Sequence, residues 1–417
     1  MSSWQTRKLG DISEMCLGKM LDAEKNKGEF QPYLANINVR WGGFDFANLN
    51  KMRFENSEQD RYGLKFGDLV VCEGGEPGRC AIWKDQVPEM KIQKALHRVR
   101  VHESYSNEFI YYRMLLAGRN GELGKHFIGS TIKHLTGIGL KQVEFSCPPF
   151  VKQQKIAAIL SALDAKIDCN NRINAELEAM AKTLYEYWFV QFDFPDANGK
   201  PYKSSGGKMV YSAMLKREIP DGWNDGTLGD LGRIVGGSTP TTENPANFTV
   251  NGTPWITPYD LSGNQGNKFI TRGIQDVSDE GIKNASLKKH PAGTVLLRSR
   301  APIGYMAIAR NELTTNQGFK SFVPTSGYST VFIYYTVKSS LKTITQYASG
   351  STFKEISSSV LKTVKVCLPQ SGVVEQFTNA VEPIFERQDI LEQENQQLAQ
   401  LRDWLLPLLM NGQVTVA

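Results

Sequence analysis

Two five-residue stretches of this chain read Gly-Ser-Thr-x-Lys: Gly129, Ser130, Thr131 and Lys133 in the first half, and Gly350, Ser351, Thr352 and Lys354 in the second. A flexible glycine, two hydroxyls and an ammonium group make a clasp for a phosphate, and Ser or Thr in such a place is equally suited to capping a following helix. Side chains that pair bidentately with base edges are Arg, Asn and Gln. They gather in turn-rich stretches of both halves: Arg298, Arg300, Asn316 and Gln317 with Lys320 in the second, Arg79, Gln93, Lys94 and Arg98 in the first. A further loop carries Asn36, Asn38, Arg40 and Trp41, and opposite it stand Thr257, Tyr259 and Asp260. The chemistry these types share is polyanion binding and groove readout. Taken singly, each is as well explained as a surface or turn residue.

Groups for bond-breaking chemistry are sparse. His97, His102, His126 and His134 lie in the first half and only His290 in the second, which excludes a duplicated histidine site. The six cysteines include no C-x-x-C pair, so neither a zinc site nor any other cofactor is expected. Cys72 and Cys80 read as buried thiols, and free thiols fit a reducing cytoplasm. Cys147-Pro148-Pro149-Phe150 has the shape of the Asn/Asp-Pro-Pro-Tyr/Phe motif of amino-methyltransferases. Cysteine cannot supply the amide or carboxylate that orients an amine, no Gly-rich cofactor cradle follows a strand, and the stretch reads as a proline-led helix start. No apolar run approaches the roughly 18 residues of a membrane span, and the N-terminus has no apolar signal core.

The elements that must position these residues occur twice. Trp4 with Leu9-Gly10-Asp11 returns as Trp223 with Leu228-Gly229-Asp230, Phe109-Ile110-Tyr111-Tyr112 as Phe332-Ile333-Tyr334-Tyr335, and Cys147 before Pro149 as Cys367 before Pro369. The period is too long for a solenoid repeat and indicates a tandem duplication of a globular domain followed by a helix. Leu69-Val70-Val71 and Val295-Leu296-Leu297, each after a Gly turn, read as buried strands, and the Phe-Ile-Tyr-Tyr copies open helices.

Between Pro149 and Phe192 there is no Pro or Gly, and a seam of Ile156, Leu160, Leu163, Ile167, Asn170, Asn174, Leu177, Ala181, Leu184 and Trp188 alternates spacings of four and three. Val374, Phe377, Val381, Ile384, Gln388, Leu391, Asn395 and Leu398 repeat the pattern near the C-terminus, with Pro383 expected to kink or restart that helix. Polar residues near both midpoints predict an antiparallel pair in which Asn170 and Asn174 approach Gln388, or else amides at the bundle edge facing water. Residues 193–221, rich in Pro, Gly and Ser, read as a connector. Charge follows the division: residues 1–148 hold 21 basic and 18 acidic side chains, residues 222–369 hold 15 and 9, and residues 370–417 hold 2 and 7. Basic bodies beside an acidic helix fit one surface for a polyanion and another for protein.

With Leu228-Gly229-Asp230, Ser299-Arg300-Ala301-Pro302-Ile303-Gly304, Asn316-Gln317-Gly318, Gly350-Ser351-Thr352 and Leu368-Pro369 in order, and a looser copy ahead of them, the chain resembles the specificity subunit of a type I restriction-modification enzyme. In the first copy Gly78-Arg79 stands for Gly304-Tyr305, and Gln93-Lys94 for Gln317-Gly318. The helix endings Leu184-Tyr185-Glu186-Tyr187-Trp188-Phe189 and Leu405-Leu406-Pro407-Leu408-Leu409 also resemble the family. The resemblance implies an α+β fold: two similar mixed α/β target-recognition domains separated by two long helices in an antiparallel coiled coil, pseudo-twofold symmetric. The expected boundaries are 1–148 and 222–369 for the domains, 149–192 and 370–417 for the helices, and 193–221 for the connector.

It also implies a cytoplasmic subunit with no catalytic site of its own, bound to double-stranded DNA and to two methyltransferase subunits, and through them to restriction subunits. The assembled complex is an adenine-N6 methyltransferase and ATP-dependent endonuclease. Tyr185, Tyr187, Trp188 and Phe189, with Glu375, Glu382, Glu386, Glu392 and Glu394, are expected on the partner surface; the alternative for the aromatics is that they seal their helix against its own domain. Two other readings, a free-standing DNA methyltransferase with a divergent site and a coiled-coil scaffold, are disfavoured by the missing cofactor loop and by the basic domains respectively.

Overall fold

The computed structural model describes residues 4–22, 26–325, 327–347, 355–414 and 416. The chain divides into two compact units, one of Met1–Asp168 with Gln397–Ala417 and the other of Cys169–Gln396. In the first, strands β1 (Gln5–Lys8), β2 (Ser13–Leu17), β3 (Glu29–Leu34), β4 (Asn50–Phe54), β5 (Leu69–Cys72), β6 (Cys80–Ile82), β7 (Lys91–Ile92) and β8 (Leu96–Val101) precede helix α1 (Asn107–Arg119). Strand β9 (Glu144–Cys147) then leads into the long helix α2 (Phe150–Tyr185). An antiparallel sheet runs β2-β8-β5-β6, a second runs β4-β3-β7 with β3 and β7 parallel, and β1 pairs with β9.

The second unit opens with a hairpin, β10 (Met209–Ser212) and β11 (Arg217–Pro220). It continues with β12 (Asn224–Thr227), β13 (Gly232–Gly236), β14 (Thr253–Ile256), the short helix α3 (Pro258–Gly263), β15 (Phe269–Ile270) and β16 (Gln275–Val277). Strands β17 (Val295–Leu297), β18 (Met306–Ala309), β19 (Thr314–Thr315) and β20 (Lys320–Pro324) follow, then α4 (Thr330–Gln346), β21 (Lys365–Leu368) and the long helix α5 (Ser371–Met410). Here β13-β20-β17-β18 repeats the first sheet and adds β15, β16-β14-β19 repeats the second with β14 and β19 parallel, and β12 pairs with β21. The duplication heard in short motifs is therefore a duplication of topology.

Local sequence explains the repeated elements. β5 and β17 are unbroken apolar runs buried on both faces between neighbouring strands. Helices α1 and α4 start at Ser106 and Ser329, whose hydroxyls accept from the amides of Phe109 and Phe332 at 3.2 and 3.3 Å. Each then drives its aromatic pair into the core, and a buried aromatic of this size contributes about 2–3 kcal/mol. In the first unit that core joins Phe109, Ile110 and Leu69 to Ile156 and Leu160 of α2 and Leu406 and Leu409 of α5.

Both long helices run antiparallel wherever they meet inside a unit. In the first, Arg402 donates to Asp164 at 2.7 Å, and Tyr112 donates to the same carboxylate at 2.6 Å. In the second, the buried Asn170 donates to Asn395 and Glu394, each at 2.9 Å, while Gln388 donates to the Asn174 carbonyl at 3.2 Å. Asn174 thus meets Gln388 as the midpoint pairing predicts, while Asn170 finds Asn395, two turns further along α5; the amides do pair inside the seam. Helix α5 continues through Pro383 without a fresh start. Gln388 is held there by a third group, the buried Lys268, whose ammonium reaches Gln388 at 2.6 Å and Glu178 at 2.7 Å. Burial, opposed by Glu178, brings that ammonium down to about 8.

The connector is packed rather than loose: Phe194 stacks on Tyr202 and Trp223 at centroid distances of 4.7 and 5.0 Å. Among the described residues no helix is long and apolar enough to cross a membrane, and no cluster of His, Cys, Asp or Glu could hold a metal ion.

Candidate nucleic-acid interface

A set of backbone hydrogen bonds is built twice, and it aligns the two units residue by residue. The amide of Gln93 donates to Leu34 O at 3.0 Å, and that of Asn316 to Ile256 O at 3.0 Å. Lys19 N reaches Ile92 O as Ser238 N reaches Thr315 O, both at 3.0 Å. Glu73 N reaches Ala95 O as Ser299 N reaches Gly318 O, both at 2.8 Å, and Leu135 N donates to Glu73 O as Ile356 N donates to Ser299 O. Close packing at one point of this frame admits only glycine: a Cβ on Gly18 would lie 2.3 Å from Gln93 O, and one on Gly237 2.1 Å from Asn316 O.

The frame corrects the register read from sequence. Gln93 and Lys94 correspond to Asn316 and Gln317, not to Gln317 and Gly318, whereas Gly78-Arg79 does correspond to Gly304-Tyr305. Arg300 stands where the first unit has Gly74, and Glu355 where it has His134. The frame also brings three of the predicted residues of the second unit near one another. In the second unit Arg300 pairs with Glu355 at 3.0 Å, Lys320 lies 3.8 Å from the same carboxylate, and Gln317 is hydrogen-bonded to Thr239. Burial lowers the Lys320 pKa, with Glu355 opposing the shift. In the first unit Lys94 is exposed, and Ser130, Thr131 and Lys133 form the exposed tip closed by two 2.9 Å bonds between Ile128 and His134. This tip does not cap the next helix (Gly137–Lys141), which Thr136 caps instead. Ser351, Thr352 and Lys354, with Gly350, lie outside the described residues.

Several predicted readers are committed to holding the frame. Asn38 is buried, its Oδ1 accepting from Ala35 N at 2.9 Å and its Nδ2 donating to Asp45 O at 3.0 Å. Asp260 takes the equivalent place, accepting from Thr257 N at 2.8 Å and from the Thr257 hydroxyl at 2.6 Å, so Thr257 is a cap rather than a free donor. Arg98 is buried, donating to the carbonyls of Asp60 and Arg61 and to Glu14. Asn316 Oδ1 accepts from Gly318 N at 2.8 Å. Arg79 and Arg298 share one task from different positions. Arg79 donates to Asn36 O at 3.1 Å, and Arg298 to Pro258 O, the equivalent carbonyl, at 3.3 Å. Arg298 corresponds to Cys72 and Arg79 to Tyr305, so the two units clamp the same turn by exchanging which strand end carries the guanidinium. Arg40 is half exposed beside Asp45 at 3.2 Å. Tyr259 is exposed, and so is Ile37 at the equivalent position, a residue that sequence reasoning passed over because an isoleucine carries no readout signature by type.

The frame is thus one backbone scaffold presenting different side chains in each unit. The family model for the type I restriction modification DNA specificity domain matches residues 1–179 and again 220–400. The chain belongs to this specificity-domain family. It is 39% identical over 186 residues to the MjaIX specificity subunit of Methanocaldococcus jannaschii, a match that spans 42% of each chain. To the HindI specificity subunit of Haemophilus influenzae it is 26% identical, over 99% of this chain and all of that one. The crystal structure of the type I restriction-modification S subunit from M. genitalium shares the fold, with a TM-score of 0.58, 16% identity, and 98% and 96% of the two chains covered.

For this specificity-domain chain the expected partner surface needs correction. Tyr185, Trp188 and Phe189 are buried in the second unit's own core, where Phe189 meets Phe332 and Phe377 at 4.8 and 4.9 Å, and Tyr187 packs against the same cluster. They seal the helix end, as the alternative reading held. Glu392 is buried too, accepting from the amides of Lys268 and Phe269 at 2.6 and 3.1 Å, whereas Glu375, Glu382 and Glu386 are exposed along α5. The Cys147 thiol is buried, which pushes its pKa up to about 11, and the Pro149 carbonyl opens α2.

Proposed function

We propose that this chain is the DNA-specificity subunit of a type I restriction-modification complex in the cytoplasm, reading a bipartite double-stranded target with one half assigned to each unit. It docks two methyltransferase subunits, and restriction subunits join through them; adenine-N6 methylation and ATP-dependent cleavage belong to the assembled complex. The observation that carries this reading is the hydrogen-bond frame built twice around different side chains. One backbone geometry meets the groove in each unit, while Arg300, Gln317 and Lys320 in one and Lys94, Arg40 and the 129–133 tip in the other supply different contacts. The exposed carboxylates Glu375, Glu382 and Glu386 are the proposed protein-facing stripe.

The test is methylation mapping by long-read sequencing of host DNA with and without this gene. A modified motif in two parts with an unread gap, lost when the gene is removed, is expected. An unchanged methylation pattern, or a continuous motif, would overturn the proposal.

A further inference from the structure

Ile37 and Tyr259 occupy the same place in the duplicated frame, and both point a large side chain into solvent, with exposures of 69% and 74%. Neither contributes to its own core. Both nevertheless sit on a turn held by side-chain hydrogen bonds from two sides. The turn is closed by the Asn38 or Asp260 acceptor on the preceding backbone amide, and its carbonyl is clamped by Arg79 or Arg298. A rigid turn that projects an apolar side chain, built twice with different local solutions, is arranged for a contact made outside the chain. Cationic groups flank it: Arg40 donates to Ile37 O at 2.5 Å in the first unit, and in the second Arg298 ties the turn to the loop carrying Arg300. Arg40 and Arg300 are paired with Asp45 and Glu355 at 3.2 and 3.0 Å, so what favours duplex DNA over an apolar protein groove as the occupant is the net positive charge of both domains, 21 basic against 18 acidic side chains in 1–148 and 15 against 9 in 222–369.

Resting on the specificity reading above, we propose that Ile37 and Tyr259 are base-reading residues, each lying against the 5-methyl group of a thymine in the major groove of its own half-site. The methyl group is the apolar mark on the major-groove edge, and it distinguishes thymine from cytosine without a hydrogen bond.

Deoxyuridine, which lacks this methyl group, is the direct probe. The full chain assembled with its methyltransferase subunits is titrated with a duplex bearing its methylated motif, each thymine replaced in turn by deoxyuridine. The wild-type complex is expected to lose roughly fourfold in affinity at one position of each half-site, the effect of one buried methyl. Ile37→Ala should abolish that sensitivity in the first unit's half-site only, and Tyr259→Ala in the second unit's only. Ile37→Val and Tyr259→Phe, which keep the apolar contact, should retain it and guard against a folding artefact. Deoxyuridine sensitivity that is absent in the wild type, or unchanged in both alanine variants, overturns the assignment. So does weakened subunit assembly with an unaltered DNA response, which would make these side chains protein contacts. A wild-type complex with no sequence preference at all would instead overturn the specificity reading itself.

Discussion

Replacing Arg298 by Ala removes the guanidinium that donates to Pro258 O at 3.3 Å, to the Ser262 hydroxyl at 2.7 Å, to Ala301 O at 2.8 Å and, through Nε, to Arg300 O at 3.2 Å. A net hydrogen bond contributes about 0.5–1.5 kcal/mol, and the side chain is only half buried, so water recovers part of the loss; four bonds at the lower end give about 2–3 kcal/mol. That free energy is lost locally, where helix α3 rests on the loop after β17. It corresponds to an opening equilibrium roughly 30- to 150-fold more favourable for this turn. Hydrogen exchange resolved to residues 257–263 should show that acceleration, with the matching turn at 35–38 unchanged. Arg298→Lys should recover only a minor part, because an ammonium group cannot span four acceptors with a fixed fork. If Arg298→Ala left exchange at 257–263 unaltered, the clamp would be a coincidence of geometry with no energetic role, and Arg79 and Arg298 would not be positioning residues.

Other consequences are open to direct measurement. Burial, with a smaller contribution from Arg233, lowers the His290 pKa from about 6.5 to about 4. Its stabilising contribution is intact above pH 6.5 and is lost as pH falls through 4, about 3 kcal/mol in all; acid unfolding of His290→Asn should lack that step. Trp188→Ala with Phe189→Ala should destabilise the second unit by at least about 3 kcal/mol, measured by denaturant unfolding, while the folded fraction still co-purifies with methyltransferase. Glu375→Gln, Glu382→Gln and Glu386→Gln combined should do the reverse, leaving stability within about 0.5 kcal/mol as surface changes do and weakening co-purification.

The elements legible in the sequence were those with a strong local signal. The duplicated Leu-Gly-Asp and Phe-Ile-Tyr-Tyr motifs, the apolar strands at Leu69 and Val295, and the heptad seams all correspond to observed elements, because each is set by a local pattern of burial. What the sequence could not give was register. The equivalence of Gln93 to Asn316 depends on parallel strand pairs formed within each unit by segments far apart in the chain, β3 with β7 and β14 with β19, and a one-residue slip is invisible to motif matching. The helix seam was legible in part: heptads place the amides inside and the midpoint pairing joins Asn174 to Gln388, but Asn170 meets Asn395 instead. Residue type misled most at the site. Asn38, Thr257, Arg98 and Arg298 have readout chemistry, yet backbone groups that need partners claimed them first. The aromatic run at the end of α2 looked like a docking patch because its interior partners, Phe332 and Phe377, lie more than a hundred residues away.

The central claim, that equivalent positions of one frame read opposite halves of the target, is tested most directly by one pair of substitutions. Lys94 and Gln317 are equivalent by the frame, both are exposed, and their side chains have the reach and donors to meet a base edge. Long-read methylation motifs are measured for Lys94→Ala and Gln317→Ala beside the wild type. The account predicts that each variant relaxes a position in a different half of the same bipartite motif and leaves the other half intact. Changes confined to the same half in both variants, or an unaltered motif in both with normal DNA binding, would contradict it.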